Sequence, residues 1–203
     1  IMKFVYFMIK TTLLSELCGA ILLMIPFCRE FGVWKGICFA FFHSISAYCN
    51  AGFDLMGNFT SLTRYVGNIY MNIVIMLLII CGGLGFGTWN DVRKYKQHFS
   101  RYSLQSKVIL ITSTILIFVP AIYFYFLEYS QFPFKERILS SLFQSLTNRT
   151  AGFNTTDQAS LSDSGKLVSL ILMMIGGSPG STAGGMKTTT IALLVISASA
   201  IFI

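Results

Sequence analysis

The sequence predicts an all-α integral membrane protein in which a helix, a re-entrant pore loop and a second helix occur twice in tandem. Of the 203 residues, 54% are hydrophobic and only 11% are charged, whereas about a quarter of the residues are charged in a soluble domain. Several apolar stretches are long enough to cross a bilayer, and one short motif occurs twice. The positive mean hydropathy of +0.69 also argues against disordered, collagen-like and coiled-coil proteins.

Four stretches are predicted to cross the membrane as helices. A helix rises about 1.5 Å per residue, so about 20 residues cover a hydrocarbon core of about 30 Å. Each stretch contains at most one charged residue, which is Glu16 in the first and Lys187 in the fourth. The predicted spans are residues 11–28, 65–90, 108–127 and 167–203.

Two further uncharged stretches, residues 36–53 and 138–148, are predicted to enter the membrane and return on the same side. The second reaches only about 16 Å as a helix and is too short to cross. If the first crossed, the basic segment that follows the second span would lie on the outer face. Re-entry of both stretches keeps that segment in the cytoplasm, as the positive-inside rule expects.

The formal charge of +7 has its main source in one segment, in which a single acid, Asp91, is followed by five basic residues: Arg93, Lys94, Lys96, Arg101 and Lys107. This distribution is typical of a cytoplasmic loop of a multi-pass cell-membrane protein. The sequence contains no basic groove with interleaved aromatic residues, so nucleic acid is not a predicted partner. The bilayer itself is the first predicted partner.

A repeated motif supports the duplication. Residues 42–46 read FHSIS and are followed by AGFD at 51–54, while residues 143–147 read FQSLT and are followed by AGFN at 151–154. The spacing differs by one residue, so the copies have diverged. The predicted organisation is a first copy in residues 1–92, a basic cytoplasmic linker in 93–107 and a second copy in 108–203.

Each re-entrant helix is predicted to end in a non-helical segment whose carbonyl groups face a polar space, because irregular backbone at membrane depth needs such partners. Converging carbonyl oxygens can replace the hydration shell of a monovalent cation. The alternative is that both glycines only end helices, but their matched positions favour an ion filter. A monovalent cation would bind through backbone carbonyls only, in a filter made of Asn50, Ala51, Gly52, Phe53, Thr150, Ala151, Gly152 and Phe153.

A glycine-rich segment is predicted to interrupt the last span near the middle of the membrane. A continuous helix there would cost several kcal/mol, given the propensities of Gly and Pro, and broken spans serve as ion sites or gates. Lys187 follows and either reaches the cytoplasmic interface or faces the cavity. The predicted gating loop consists of Gly176, Gly177, Ser178, Pro179, Gly180, Ser181, Thr182, Ala183, Gly184 and Gly185.

Isolated charged residues near these segments leave several roles open. Asp54 and Asp157 follow the filter motifs and would concentrate cations at the outer mouth, although Asp157 would equally cap the following loop. Arg149 adjoins the filter and is expected to turn away from the pore and to anchor the loop through hydrogen bonds. Glu16 is either a functional intramembrane acid or a structural one. No paired catalytic groups lie within the spans, so an enzyme is not predicted.

These motifs resemble the Trk/Ktr/HKT superfamily of potassium-translocating membrane subunits, and most closely its bacterial Ktr-type members. The similar strings are residues 42–47 with 50–54, residues 148–157 and residues 176–190. The resemblance implies four helix, pore-loop, helix repeats around one pore, of which this chain resembles the second and third. It therefore implies a fragment, which would not conduct by itself.

The resemblance also implies potassium uptake across a bacterial cell membrane, with the glycine-rich segment as an intramembrane gate. It implies a homodimer and a cytosolic nucleotide-binding regulatory subunit, for which residues 93–107 are a candidate contact surface. Three matters stay open: whether the pore also admits sodium, since the first-repeat filter is absent, whether Na⁺ is a coupling or activating ion, and whether transport is channel-like. A non-conducting scaffold subunit, with glycines used for close helix packing, is the alternative.

Overall fold

The computed structural model describes residues 2–58 and 60–201, and this part of the chain is helical without an extended strand. The all-α prediction is confirmed. A π-helical turn, Phe124–Glu128, continues the fifth helix, and short 3₁₀ turns lie at Thr63–Tyr65 and Phe99–Arg101. The eight α-helices are α1 Met2–Phe31, α2 Val33–Tyr48, α3 Ile69–Gly83, α4 Phe86–Tyr95, α5 Leu104–Tyr123, α6 Phe134–Thr147, α7 Asp163–Met174 and α8 Thr188–Ile201.

Helices α1 and α2 form a tight hairpin because glycines lie where the two helices meet. Gly32, with a φ of 80°, reverses the chain between them. A Cβ on Gly36 would lie 2.5 Å from the Cα of Cys28, so only glycine permits this approach. Small residues at helix contacts let backbones approach closely in membrane proteins.

Helices α5 and α6 repeat this hairpin in the second half of the chain, and one hydrogen bond occurs in both. Ser44 Oγ of α2 donates to the carbonyl oxygen of Glu16 at 2.6 Å. Ser145 Oγ of α6 donates to the carbonyl oxygen of Ile117 at 2.8 Å. In each copy the acceptor lies 28 residues before the serine. A residue pair at the same separation thus fixes each short helix against its preceding span.

The predicted spans agree with the structure for α1 and α5, and the second predicted span differs from it. By length and composition, α1 and Leu104–Glu128 are each able to cross a membrane. The predicted helix at residues 65–90 is instead two helices, α3 and α4, that meet at an angle of 98°. The bend lies at Gly85, whose φ of 80° is not helical. Glycine suits this position because a positive φ is costly for residues with a Cβ.

The predicted break in the last span is confirmed. Helix α7 ends at Met174 and α8 begins at Thr188, and the segment between them contains one isolated bridge pairing Ile175 with Met186. Each helix is shorter than a full crossing. The predicted span also includes residues 202 and 203, which lie outside the described residues.

The buried core joins the two copies. Phe27 of α1, Ile75 of α3 and Phe143 of α6 are fully or almost fully buried in one cluster, together with Tyr48 and Phe153. Large apolar side chains on the outer faces of the helices are exposed, for example Leu13, Ile115, Leu170 and Leu194. Exposed apolar faces of this extent are typical of lipid-facing helices. The core therefore positions the two motif segments, while the surface is suited to a bilayer.

Candidate functional site

The two repeated motif segments lie side by side and touch at their glycines. A Cβ on Gly52 would lie 2.6 Å from the Cα of Gly152 and 2.6 Å from the carbonyl oxygen of Ala151. A Cβ on Gly152 would lie 3.0 Å from the Cα of Gly52. The structure therefore brings two sequence-predicted segments, 100 positions apart, into backbone contact, and both positions require glycine.

Both segments have the same backbone conformation. Asn50 has a φ of 51° and Thr150 a φ of 70°, and two residues later Gly52 and Gly152 have values of 71° and 85°. The alanine between each pair has no positive φ. A left-handed threonine is uncommon and persists only where its surroundings support it. The same strained pattern at matched positions argues against two ordinary helix ends.

The carbonyl oxygens of the two segments divide into bonded and free groups. In the first segment, Ser46 Oγ donates to the carbonyl oxygen of Phe53 at 2.8 Å, and in the second Thr147 Oγ1 donates to that of Phe153. Among the described residues, no hydrogen bond reaches the carbonyl oxygens of the three preceding positions in either segment. Backbone acceptors without protein partners bond to water or to another ligand. The six free oxygens belong to Asn50, Ala51, Gly52, Thr150, Ala151 and Gly152.

The helices that precede the segments add a favourable field. Helix α2 ends at Tyr48 and α6 ends at Thr147, immediately before the two motif segments. The C-terminus of a helix has a partial negative charge, equivalent to about half an elementary charge. Two such negative ends therefore lie next to the free carbonyl oxygens.

A second pair of matched residues holds the chain just after each segment. The Nδ1 of His43 donates to the Phe39 carbonyl at 2.7 Å, so its Nε2 can accept from the backbone N–H of Leu55 at 3.5 Å. At the matching position, Gln144 exchanges two hydrogen bonds with Gln158, at 2.7 and 2.9 Å. These roles were missed from sequence, although both residues occupy the second position of the repeated FxS motif.

The outer segment after the second motif is held by a buried tyrosine. The hydroxyl of Tyr129 lies 2.9 Å from Thr156 Oγ1. Burial raises the pKa of Tyr129 to about 12, so its hydroxyl stays protonated at neutral pH.

The two predicted outer-mouth acids occur in local turns. Asp54 Oδ1 accepts from the backbone N–H of Met56 and Asp157 Oδ1 from that of Ala159, each at 2.9 Å. This bond to the residue two positions on is the ordinary side-chain turn of aspartate. Asp157 therefore has the capping geometry that the sequence left as an alternative. The effect of either charge on cations stays a prediction.

The glycine-rich loop donates hydrogen bonds to carbonyl groups at the C-terminal ends of α2 and α3. The N–H of Ser178 donates to the Gly83 carbonyl at 3.0 Å, and that of Thr182 to the Gly82 carbonyl at 3.2 Å. Thr182 Oγ1 donates to the carbonyl oxygen of Tyr48 at 2.8 Å. The last carbonyls of a helix have no partner within the helix. The loop supplies these partners and so belongs to the packed structure.

The same loop contacts the left-handed residues Asn50 and Thr150, which begin the two motif segments. Asn50 Nδ2 donates to Thr182 Oγ1 at 3.1 Å, and Thr150 Oγ1 accepts from the N–H of Gly184 at 3.2 Å. Arg149 Nη2 donates to the carbonyl oxygen of Gly176 at 3.4 Å. Arg149 thus binds the glycine-rich loop, and its expected turn away from the pore stays a prediction. The loop supports the strained conformation of both segments.

The beginning and the end of the glycine-rich loop pack closely against each other. The N–H of Gly177 donates to the Gly184 carbonyl at 3.2 Å, and a Cβ on Gly176 would overlap the same oxygen. At the tip, the Gly180 carbonyl accepts from the N–H of Phe86 at 3.0 Å, which ties the loop to the start of α4.

Lys187 Nζ donates to the Ala183 carbonyl at 2.8 Å, so this half-buried side chain binds the loop itself. The sequence pattern does not predict this contact.

Part of the predicted basic linker, residues 93–107, is helical. Arg93 and Lys94 lie in the last turn of α4 and Lys107 lies within α5. Asp91 connects these helices, because its Oδ2 accepts from Ser103 Oγ at 2.6 Å and from Ser106 Oγ at 2.7 Å. The hydrogen bonds from Ser103 are the main cause that lowers the pKa of Asp91.

Side-chain metal binding has no support in the part of the chain that the structure describes, since no group of three His, Cys, Asp or Glu residues there could hold a metal ion.

This chain is similar to one protein family and to several known proteins. A family described as TrkH, cation transport protein, matches residues 1–201. The potassium/sodium uptake protein NtpJ of Enterococcus hirae is 39% identical over 207 residues, which cover 100% of this chain and 45% of that protein. The Ktr system potassium uptake protein B of Bacillus subtilis is 36% identical over 188 residues, which cover 90% of this chain and 42% of that protein.

The fold is similar to the crystal structure of the potassium transporter TrkH from Vibrio parahaemolyticus, with a TM-score of 0.73 over 94% of this chain and 39% of that one. The identity is 20%, so this likeness concerns the fold. The chain spans less than half the length of each of these relatives. The resemblance to the Trk/Ktr/HKT superfamily is confirmed, and the chain belongs to the TrkH family of cation transport proteins.

Proposed function

We propose that this chain is part of a pore for potassium uptake across a bacterial cell membrane. One observation carries the proposal: six carbonyl oxygens without protein partners lie in two motif segments that touch at Gly52 and Gly152. Relatives named as potassium or potassium/sodium uptake proteins support the same activity. The filter then consists of residues 50–53 and 150–153.

In this mechanism, the backbone oxygens replace the water shell of the cation as it enters the filter. The α2 and α6 C-termini add negative potential, which offsets part of the dehydration cost. Ser46 and Thr147 hold the last carbonyl of each segment by a hydrogen bond, so the free oxygens before it keep their direction. Asp54 and Asp157 raise the local cation concentration at the outer mouth.

The two copies, residues 1–92 and 108–203, provide two of the four segments that surround the pore. Their backbone contact at the glycines leaves the opposite side of each segment for the remaining repeats. The relatives are more than twice as long as the chain, which is consistent with two further copies.

The glycine-rich loop at residues 176–185 acts as the gate beneath the filter. The loop binds the Asn50 side chain through Thr182 and Thr150 through Gly184. Any movement that opens the gate must break or exchange these hydrogen bonds. Opening and filter conformation are therefore coupled, and Lys187 moves with the loop through its bond to Ala183.

The transported ion is potassium, with sodium permeation as the second candidate. The name of the Enterococcus relative includes both ions, while those of two Bacillus subtilis relatives, the Ktr system potassium uptake proteins B and D, mention potassium alone. The assembly is a homodimer with a cytosolic nucleotide-binding regulatory subunit, and the basic residues around α4 provide its contact surface. Names that refer to a Ktr system with proteins B and D are consistent with a multi-component assembly. The chain has no enzymatic role in this proposal.

The experiment is potassium uptake by the complete protein in bacteria that lack their own uptake systems, with Gly152→Ala as the variant. We expect uptake to fall about tenfold or more, because a Cβ meets the Gly52 backbone and the φ of 85° disfavours alanine. Gly87→Ala in α4 is the matched control, since a Cβ there meets no atom within 4 Å.

A non-conducting scaffold predicts a different result. If Gly152→Ala leaves both the rate of uptake and the preference for potassium over sodium unchanged, the glycines serve helix packing and the filter proposal is wrong. Membrane abundance of the variant, measured in parallel, separates loss of protein from loss of transport.

A further inference from the structure

A small cavity lies between α3, α5, α6 and the glycine-rich loop, where the two copies meet. It has a volume of about 30 Å³, which is room for about two water molecules. Its walls are mainly apolar, with three polar side chains among them. The residues that define it include Asn50, Ile79, Ser113, Ile117, Arg149 and Gly177.

Two of these side chains present buried polar atoms without a protein partner. Among the described residues, Nε of Arg149 and Oγ of Ser113 have no hydrogen-bond partner. Arg149 is 9% exposed and Ser113 is 5% exposed. Leaving a buried donor unpaired costs about 1–3 kcal/mol, and more for a charged group. Both groups therefore favour a ligand in the cavity that they share.

The guanidinium also has no carboxylate partner within the described ranges, where the one ion pair joins Lys166 to Asp163. Its Nη2 donates to the Gly176 carbonyl of the glycine-rich loop. Among the guanidinium nitrogens, Nε is the one that is buried without a partner in the described part of the chain. Since Thr150 begins the second motif segment directly after Arg149, a ligand here lies between filter and loop.

We propose that this cavity binds a small hydrogen-bond acceptor, either a water molecule or a monovalent anion, that accepts from Arg149 Nε and contacts Ser113 Oγ. Both ligands fit the volume and satisfy the same donor. The bound ligand completes the hydrogen bonding of the guanidinium and holds it against Gly176. The proposal concerns a buried polar site and does not depend on which cation the pore carries.

The test is a high-resolution structure of the complete protein, determined in chloride and again in bromide. We expect a density peak about 3 Å from both Arg149 Nε and Ser113 Oγ. Anomalous scattering at the peak in bromide identifies an anion, and a peak without it identifies water. A map with no peak within hydrogen-bond distance of Arg149 Nε overturns the proposal, whatever the transport measurements show.

Paired variants test the contribution of the serine. Ser113→Ala is expected to lose or strongly weaken the peak, because one of its two polar contacts is removed. Ser140→Ala is the matched control, since Ser140 Oγ is also buried without a protein partner but does not line the cavity. Equal peak heights in both variants would show that Ser113 is not a ligand and would overturn the site as described.

Discussion

The first and second motif segments have the same backbone pattern in different surroundings. Phe53 is 69% exposed, whereas Phe153 is fully buried and stacks on His43 with ring centroids 6.3 Å apart. Left-handed residues, glycine contact, free carbonyls and a hydroxyl that binds the phenylalanine carbonyl nevertheless occur in both. The shared features are the ones that orient backbone oxygens, and the side-chain packing around them differs. Backbone geometry therefore defines the site.

The largest difference is expected for the phenylalanines. Phe153→Ala should reduce the free energy of unfolding of the complete protein by about 3–5 kcal/mol, because it leaves a cavity in the core. Phe53→Ala should cost well under half of that, given its exposure. Chemical denaturation in detergent measures both. Equal costs would show that another part of the complete protein covers Phe53 and would remove this contrast between the segments.

For transport, the glycines are expected to differ in the opposite direction, with the larger effect in the first segment. Gly52→Ala should reduce uptake more than Gly152→Ala, because its Cβ would lie 2.6 Å from backbone atoms rather than 3.0 Å. The extra loss is expected to be about tenfold, which corresponds to about 1.4 kcal/mol. Uptake per molecule of protein in the membrane is the measurement, with Gly87→Ala as the control. A larger loss of uptake in Gly152→Ala than in Gly52→Ala would contradict the described contact between the two glycines.

Smaller effects, which differ less between the two segments, are expected for the hydroxyl groups of Ser46 and Thr147. Thr147→Val and Ser46→Ala each remove the donor to the phenylalanine carbonyl, at a cost of about 1–3 kcal/mol where the acceptor stays buried. We expect Thr147→Val to cost more, because Phe153 is buried and Phe53 is not. Ser46→Thr, which keeps a hydroxyl, should retain uptake. Loss of uptake in Ser46→Thr as large as in Ser46→Ala would contradict the role of the hydroxyl.

The smallest effect is expected where the two copies are connected. The hydrogen bonds of Asp91 lower its pKa from the ordinary value of 3.8, so the carboxylate stabilises the folded state above that pH. This contribution is lost as the pH falls through the lowered folded-state pKa. The unfolding temperature of the complete protein should therefore decrease slightly more in acid for the native protein than for Asp91→Asn. Parallel curves for both proteins would show that Asp91 contributes nothing.

Much of this protein could be predicted from sequence because a bilayer imposes simple rules. The apolar stretches predicted α1 and α5, the repeated motif predicted two similar hairpins, and the glycines with Pro179 predicted the break between α7 and α8. Each of these features follows from local composition or periodicity. The bend between α3 and α4 was missed, although Gly82, Gly83, Gly85 and Gly87 interrupt the apolar stretch at residues 65–90 and are a local signal for a break.

The amino-acid order alone fixed the helical class, the membrane environment, the duplication and the positions where the chain must leave a helix. Only the folded chain decided that Gly52 meets Gly152, that Thr182 and Gly184 support the two segments, and that Arg149 shares a buried cavity with Ser113. These partners are 30 or more residues apart. No local preference specifies such a pair, because the contact exists only after several helices have packed together.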